Sequence, residues 1–284
     1  MKARKGILFA VPGTTCHGAG GAFEQIHAAA ARRFPGVELR WAYTSAPIRR
    51  KLAAKGVEVK CPGEALLAMQ EEGVTQAAVV SLHLTDGLEF AELAETVTGF
   101  GRQPENTMNV ALGHALMACE ADWLRALSAL LADFSDKPGL GDRVILVAHG
   151  STDPQATETL RAAAQSARRV DSRLTVGMIL GTPGREEVVR NCRAAGVKKA
   201  WLIPCMVVAG ITAQDDIAGP GEASWATTLT RAGIEVVPVT RGLGEIAGVV
   251  EVWLDQAASL LGISTLTPTL SHEGRGSGSK GMML

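Results

Sequence analysis

Three shortages narrow the classes of protein to which this 284-residue chain can belong. Aromatic residues make up only 4% of it and its formal net charge is −1, so it lacks the stacking surface and the basic field of a nucleic-acid-binding protein. No apolar run approaches the roughly 18 residues of a membrane-spanning helix. The basic N-terminus is followed by too short an apolar run for an export signal. We therefore expect no nucleic-acid partner, no membrane insertion and a cytoplasmic location.

Cysteine is scarce, and its positions form no metal-binding or disulfide pattern. The five cysteines include no Cys-x-x-Cys pair and are odd in number, which predicts reduced, mostly buried thiols. The glycine-rich stretch around Cys16 and His17 matches neither the GxGxxG nor the P-loop pattern, so it does not favour nucleotide binding. The cysteines are Cys16, Cys61, Cys119, Cys192 and Cys205.

What the chain does contain is a repeated series of apolar segments. Hydrophobic residues make up 46% of it, enough for a sizeable core. The paired segments are 7–11 with 144–148, 37–43 with 174–180, 78–83 with 201–206, and 108–112 with 234–239. Stretches of helical periodicity separate them, and strands that alternate with helices indicate a parallel sheet. We predict an α/β fold of two similar, doubly wound parallel-sheet domains that face a central cleft.

The boundaries of these domains follow from changes in composition. A Pro/Gly-rich break at Asp136-Lys137-Pro138-Gly139 separates an N-terminal α/β domain, 1–137, from a C-terminal one, 138–263. The remaining residues, 264–284, are polar, Gly/Ser-rich and without periodicity, which predicts a disordered tail. His272 lies in this tail and is therefore a poor functional candidate.

Histidines stand where two of the predicted strands end. His149 directly follows one buried segment, and His83 ends another in the first half. Because ligands bind beyond the carboxyl ends of parallel strands, we expect both imidazoles in the cleft. A histidine there can accept a proton near neutral pH or bind a divalent metal. Glu89, just downstream of His83, can orient it or share its protons.

The same residues also have ordinary structural interpretations, and the local pattern leaves both open. His149 fits a hydrogen-bonded turn, and His83 fits a packed strand end. Glu89 fits the solvated first turn of a helix, where the helix dipole favours acids. His27 and His114 have no nearby partner in the sequence, and we interpret both as structural.

A set of short motifs, each weak alone, is specific in its order and spacing. They include Gly13-Thr14, Ala42-Tyr43-Thr44-Ser45, Ser81-Leu82-His83, His149-Gly150, the stretch 204–210, Ser224-Trp225 and Gly242-Leu243-Gly244-Glu245. With these motifs the chain, to about Gly262, resembles the class II, early-insertion cobalt chelatases, which load cobalt into sirohydrochlorin without ATP. The resemblance implies a two-domain α/β fold whose cleft holds a planar, acidic tetrapyrrole.

The resemblance also implies a metal site of two histidines and one glutamate. His149 matches one of the histidines. Thr212 stands where the second is expected, and Leu180 stands where the glutamate is expected, with Glu186 and Glu187 a few residues further on. A single imidazole is a weak ligand set for Co²⁺, since divalent sites usually have three or more protein ligands.

We predict an ATP-independent chelatase, a lyase, that inserts Co²⁺ into sirohydrochlorin in anaerobic cobalamin biosynthesis. His149 is the predicted base and metal contact, and Glu89 is the second catalytic group. The basic run 49–51 can attract substrate carboxylates or form a solvated helix start. The predicted substrate-binding residues are Gly13, Thr14, His83 and Thr212.

We predict that Co²⁺ is a substrate of the reaction, with Fe²⁺ or Ni²⁺ as alternative metals. We expect no tightly bound cofactor. The sequence leaves open whether the chain forms a homo-oligomer. One rival function is a non-catalytic tetrapyrrole- or metal-binding protein on the same fold. Another is a periplasmic-binding-protein-like binder of small molecules, which the missing export signal and the loop at His149 disfavour.

Overall fold

The computed structural model describes residues 3–15, 20–134 and 138–263. The strands are β1 (Lys5–Val11), β2 (Glu38–Tyr43), β3 (Gln76–Ser81), β4 (Asn109–Leu112), β5 (Arg143–Gly150), β6 (Leu174–Leu180), β7 (Lys199–Cys205) and β8 (Glu235–Pro238). The helices are α1 (Gly20–Arg33), α2 (Ala46–Ala53), α3 (Pro62–Glu71), α4 (Leu88–Gly101), α5 (Glu120–Ala132), α6 (Pro154–Val170), α7 (Arg185–Ala194), α8 (Trp225–Arg231) and α9 (Ala247–Leu260).

The strands form two four-stranded sheets of the same topology. Their orders are β2-β1-β3-β4 and β6-β5-β7-β8, and every pairing is parallel. The predicted α/β fold with two similar parallel sheets is confirmed. In each sheet the strand order reverses between the two central strands, which is where ligands bind in doubly wound sheets.

The central strands are buried on both faces because helices cover both sides of each sheet. The apolar runs 7–11 of β1 and 144–148 of β5 are continuous and almost fully buried. Helix α6 shows how the connections begin: Asp153 Oδ1 accepts from the Ala156 N–H at 2.8 Å, and Pro154 occupies the first helical position. These start signals place the beginning of α6 directly after the β5 turn.

The last helix belongs to the second half of the chain but packs on the first sheet. Helix α9 contacts β3, α1 and α5, and its Trp253 is fully buried there. Arg33 of α1 binds Glu251 at 2.6 Å and also contacts Asp255. Lys5 Nζ donates to the Leu261 carbonyl at 2.7 Å. The end of the predicted C-terminal domain therefore completes the core of the N-terminal half.

Several predictions fall on parts of the chain outside the described residues. They concern the loop residues Cys16 and His17, the tail 264–284 with His272, and part of the predicted domain break, so the domain division stays a prediction. Among the described residues, no helix combines the length and apolarity needed to cross a membrane. The cytoplasmic location, the absence of a nucleic-acid partner and the oligomeric state also stay predictions.

Candidate active site

The carboxyl ends of the four central strands open into one cavity of about 900 Å³. Its wall includes Val11 at the end of β1, Leu82 after β3, Ala148 in β5 and Cys205 at the end of β7. The structure brings all six predicted site residues to this wall. They are Gly13, Thr14, His83, Glu89, His149 and Thr212. The volume lies near the upper end of the range for small-molecule sites.

His83 is buried and held on both sides by hydroxyl groups. It follows β3 by two residues, slightly beyond the predicted strand end, because the sheet pairing stops at Ser81. Ser81 Oγ lies 2.9 Å from His83 Nδ1, and Thr44 Oγ1 lies 3.0 Å from Nε2. Burial lowers the pKa of His83 to about 4, so the imidazole is neutral at physiological pH.

Glu89 lies in the first turn of α4, next to the buried histidine. Its Oε2 is 3.8 Å from His83 Nε2, and since the imidazole is neutral near pH 7 this approach is not an ion pair. Burial raises the pKa of Glu89, while a hydrogen bond from Ser45 opposes the shift. A carboxylate with a raised pKa accepts protons more readily near neutral pH.

His149 differs from His83 because its ring is exposed to the cavity. It lies inside β5, one residue before the strand ends, and its Nδ1 is 3.4 Å from the Gly150 carbonyl oxygen. Gly150 has a φ of 80°, and a side chain there would collide with the backbone carbonyl of Leu180. This tight turn presents the imidazole to the cavity, where it can reach a ligand.

The other expected metal ligands remain absent from the cavity. Thr212 lies on the wall, but Leu180 is 46% exposed and outside it. Glu186 binds Arg185 at 2.6 Å and does not line the cavity. In the part of the chain that the structure describes, no three His, Cys, Asp or Glu ligand atoms meet in the cleft. Cys205 offers no thiolate, because burial raises its pKa to about 12.

Of the basic run 49–51, one residue lies on the cavity wall. Lys51 lines it, whereas Arg49 donates to the carbonyl oxygens of Tyr43 and Thr44 at 2.5 and 2.7 Å. Arg49 therefore stabilises the start of α2, and Lys51 is the candidate for substrate carboxylates.

Sequence reasoning assigned no role to the groups that hold the site together. Ser81 and Thr44 fix the His83 ring, and the alternation of side chains in a strand was the available signal for Ser81. Asp86 links the two halves, since its Oδ2 accepts from Gln155 Nε2 at 3.0 Å and its Oδ1 from Thr159 Oγ1 at 2.5 Å. This link ties the loop after β3 to helix α6.

Two similar parallel sheets that open on a shared, histidine-lined cavity define an α/β protein of the chelatase type. The family model described as cobalt chelatase (CbiK) matches residues 5–261. The chain therefore belongs to the CbiK family of cobalt chelatases.

Curated relatives agree with this family. The chain is 33% identical over 252 residues to sirohydrochlorin cobaltochelatase CbiKC of Nitratidesulfovibrio vulgaris, and the match covers 89% of each chain. It is 29% identical over 215 residues to the sirohydrochlorin cobaltochelatase of Salmonella typhimurium, covering 74% of this chain and 78% of the relative.

Solved structures show the same fold at lower identity. SirB from Bacillus subtilis with Fe³⁺ has a TM-score of 0.62 at 14% identity, covering 91% of this chain and 98% of SirB. CbiX, described as the terminal enzyme of siroheme biosynthesis in denitrifying bacteria, has a TM-score of 0.54 at 19% identity, covering 90% and 99%.

Proposed function

We propose that this protein inserts Co²⁺ into sirohydrochlorin without ATP and releases the two pyrrole N–H protons. The observation that carries the proposal is that His149 and the His83–Glu89 pair line the same cavity. The family match and the names of the curated relatives support the metal and the macrocycle.

The cavity offers an acidic macrocycle several positive contacts. Lys51 lines the wall, and helices α4 and α6 begin beside it. The positive end of a helix dipole and its free N–H groups favour carboxylates. Helix α4 is the better candidate, because its N-cap residue Gly87 has no side chain to occupy those N–H groups.

His149 is the group best placed to meet the metal. Its exposed imidazole can bind Co²⁺ as a neutral ligand and pass it to the macrocycle nitrogens. A site with few protein ligands holds the metal weakly, which favours its transfer to four pyrrole nitrogens. Thr212, on the same wall, adds only a neutral oxygen to this set.

Glu89 is the base that accepts a pyrrole proton in this proposal. Its carboxylate is partly desolvated, so its raised pKa brings it closer to the working pH. His83, neutral and fixed by two hydroxyl groups, lies beside Glu89 and adds no positive charge that would repel the incoming metal. His149 accepts the other proton once the metal has left it.

The test is an anaerobic mixture of the purified protein, sirohydrochlorin and Co²⁺, followed by absorbance. We expect insertion faster than the uncatalysed reaction, and a slower rate for Glu89→Gln with unchanged circular dichroism. Glu95→Gln is the matched control, because Glu95 lies on the same helix and is exposed outside the cavity. Equal rates for the protein and the protein-free mixture would refute the proposal.

A non-catalytic tetrapyrrole-binding protein is the second candidate. The observation that favours it is the lack of a three-ligand metal group in the cleft, among the described residues. Its signature is tight binding of sirohydrochlorin in the same assay with no acceleration of cobalt insertion.

A further inference from the structure

A second group of metal-ligand side chains lies outside the cavity, beyond the carboxyl end of strand β4. His114, Cys119 and Asp122 each offer one ligand atom, and these atoms all lie within 4.8 Å of one another. No other such group of three exists in the described ranges. We propose that this edge cluster, His114–Cys119–Asp122, is a second metal site that binds Zn²⁺ or Co²⁺ independently of the insertion reaction.

The backbone that carries the edge cluster is held in place by the neighbouring loop. The Gly113 N–H donates to the Val79 carbonyl at 2.8 Å, so the chain is still paired to β3 just before His114. The Leu116 and Met117 N–H groups donate to the carbonyls of His83 and Leu84 at 3.1 and 2.8 Å. These bonds fix the turn that brings His114 back towards the start of α5.

The start of α5 supplies the other two side chains. Cys119 is the N-cap residue of this helix, and its sulfur caps no backbone N–H. Asp122 lies in the first turn. Asp122 Oδ1 faces Arg125 Nη1 at 3.3 Å, whereas Oδ2 faces His114 Nε2 at 3.4 Å. One carboxylate oxygen therefore faces the histidine, and the Cys119 sulfur lies within 4.8 Å of both ligand atoms.

The orientation of the imidazole suits a metal ligand. His114 Nδ1 lies 3.1 Å from the Ala115 carbonyl, and only a protonated Nδ1 can make that hydrogen bond. The lone pair is then on Nε2, opposite the Asp122 carboxylate. In this tautomer two acceptors face each other, and a cation between them satisfies both; in the other tautomer Nε2 donates to Asp122 Oδ2 and Nδ1 accepts from Gln256 Nε2. A backbone carbonyl on the far nitrogen is the usual second hydrogen bond of a metal-bound histidine.

A buried amide beside the edge cluster is the second observation. Gln256 of α9 is 8% exposed, and its Oε1 has no hydrogen-bond partner among the described residues. Its Nε2 lies 3.3 Å from His114 Nδ1 and 3.2 Å from Asp122 Oδ2. Half a rotation of the amide would let Oε1 accept from a protonated Nδ1. That arrangement places Gln256 Oε1 near the Asp122 carboxylate. The two oxygens repel each other, and a bound cation removes this repulsion.

The ligand types select the metal. One nitrogen, one sulfur and one oxygen suit Zn²⁺ or Co²⁺, whereas Ca²⁺ and Mg²⁺ prefer oxygen ligands alone. Zinc–ligand bonds of about 2.0–2.3 Å in a tetrahedron place ligand atoms roughly 3.3–3.7 Å apart. The His114–Asp122 spacing of 3.4 Å already fits, and rotation of the Cys119 side chain can close the rest. The His114 side chain is 41% exposed, which leaves room for water as a fourth ligand.

The test is a titration of the full chain with Co²⁺ alone, without tetrapyrrole and under anaerobic conditions. Thiolate bound to Co²⁺ gives a charge-transfer band in the near ultraviolet, and tetrahedral Co²⁺ gives strong visible absorbance. We expect both, and we expect Zn²⁺ to abolish both by displacement. Cys119→Ser should remove the charge-transfer band, and it should fold because serine is a good N-cap residue.

Three further variants test whether Co²⁺ binds at the edge cluster or at other metal contacts. Cys61→Ser is the matched control and should keep the band, because Cys61 is also a half-buried N-cap residue, of α3. His149→Ala, which changes the cavity, should keep it as well. His114→Ala should weaken Co²⁺ binding at least about tenfold, since even the hydrogen-bond partners of ligands change metal affinity that much. A wild type without the band, or a band that survives in Cys119→Ser, overturns the proposal.

Discussion

The two halves of the molecule make the same turn after equivalent strands but put different side chains on it. Gly13 follows Pro12 after β1, and Gly150 follows His149 at the end of β5. Both glycines have positive φ, 95° and 80°. A side chain at Gly13 would meet the Tyr43 ring, and one at Gly150 would meet the Leu180 carbonyl. The repeated backbone builds two matching sides of the cavity, and the residue before the glycine decides which side carries an imidazole.

In the second pair of central strands, β3 and β7, the histidine stands in the first half of the chain instead of the second. His83 follows β3 in the first half, whereas Met206 follows the equivalent strand β7 in the second. The first half thus holds a buried, neutral histidine between two hydroxyl groups, and the second half exposes one to the cavity. A repeated fold can place two histidines in one cavity and still bury one of them while exposing the other.

The largest expected effect is that of His149→Ala on cobalt insertion. Loss of a positioned base typically lowers a rate by about 10²–10⁴, and this variant also loses the metal contact. The ring is exposed, so folding should not change, which circular dichroism checks. His27→Ala is the control, because His27 is exposed outside the cavity and accepts a hydrogen bond from Trp41 Nε1 at 3.4 Å. A folded His149→Ala protein with the wild-type rate would place the chemistry elsewhere.

The glycine turns can be compared by substituting each with alanine. Gly150→Ala should lower the free energy of unfolding by about 2–4 kcal/mol. A left-handed conformation costs alanine about 1–2 kcal/mol, and the Leu180 carbonyl cannot move without disturbing the β5–β6 pairing. Gly13→Ala should cost less, because the Tyr43 ring can rotate away. Urea denaturation measures both, and equal losses would mean that the two turns tolerate a side chain equally.

The buried histidine predicts a specific loss of stability in acid. The folded-state pKa of His83 is about 4, below the usual value of about 6.5, so the unfolded chain binds the proton first. Stability is therefore complete above about pH 6.5 and falls as the pH drops towards 4. Between pH 7 and pH 5 the wild type should lose about 2 kcal/mol more than His83→Gln. Denaturation of both proteins at several pH values measures this, and parallel curves would contradict it.

The smallest expected effect is a gain in metal affinity. Thr212→His adds an imidazole to the cavity wall that carries His149. Co²⁺ affinity should rise at least about tenfold, since even indirect contacts change metal binding by about 10–100-fold. Calorimetry on a Cys119→Ser background isolates the cavity from the edge cluster. Unchanged affinity would show that residue 212 does not face the metal.

The strands were predictable from the sequence because burial on both faces requires continuous apolar runs. The predicted strand 37–43 is Glu38–Tyr43 in the structure, and 144–148 lies within Arg143–Gly150. The position of α9 was not predictable in this way. It packs on a sheet that ends more than 130 residues earlier in the chain. No local sequence pattern predicts which sheet a helix packs on.

The sequence by itself determined the two parallel sheets, the turns at their carboxyl ends and the histidines that enter the cavity, since these depend on local periodicity and on residue types at strand ends. Only the tertiary structure decided that His83 is buried and neutral while His149 is exposed, although the sequence left a functional and a structural interpretation open for each. It also turned His114, interpreted as structural, towards Cys119 and Asp122. Burial and ligand geometry are properties of atoms that are distant in the chain, and folding alone brings those atoms together.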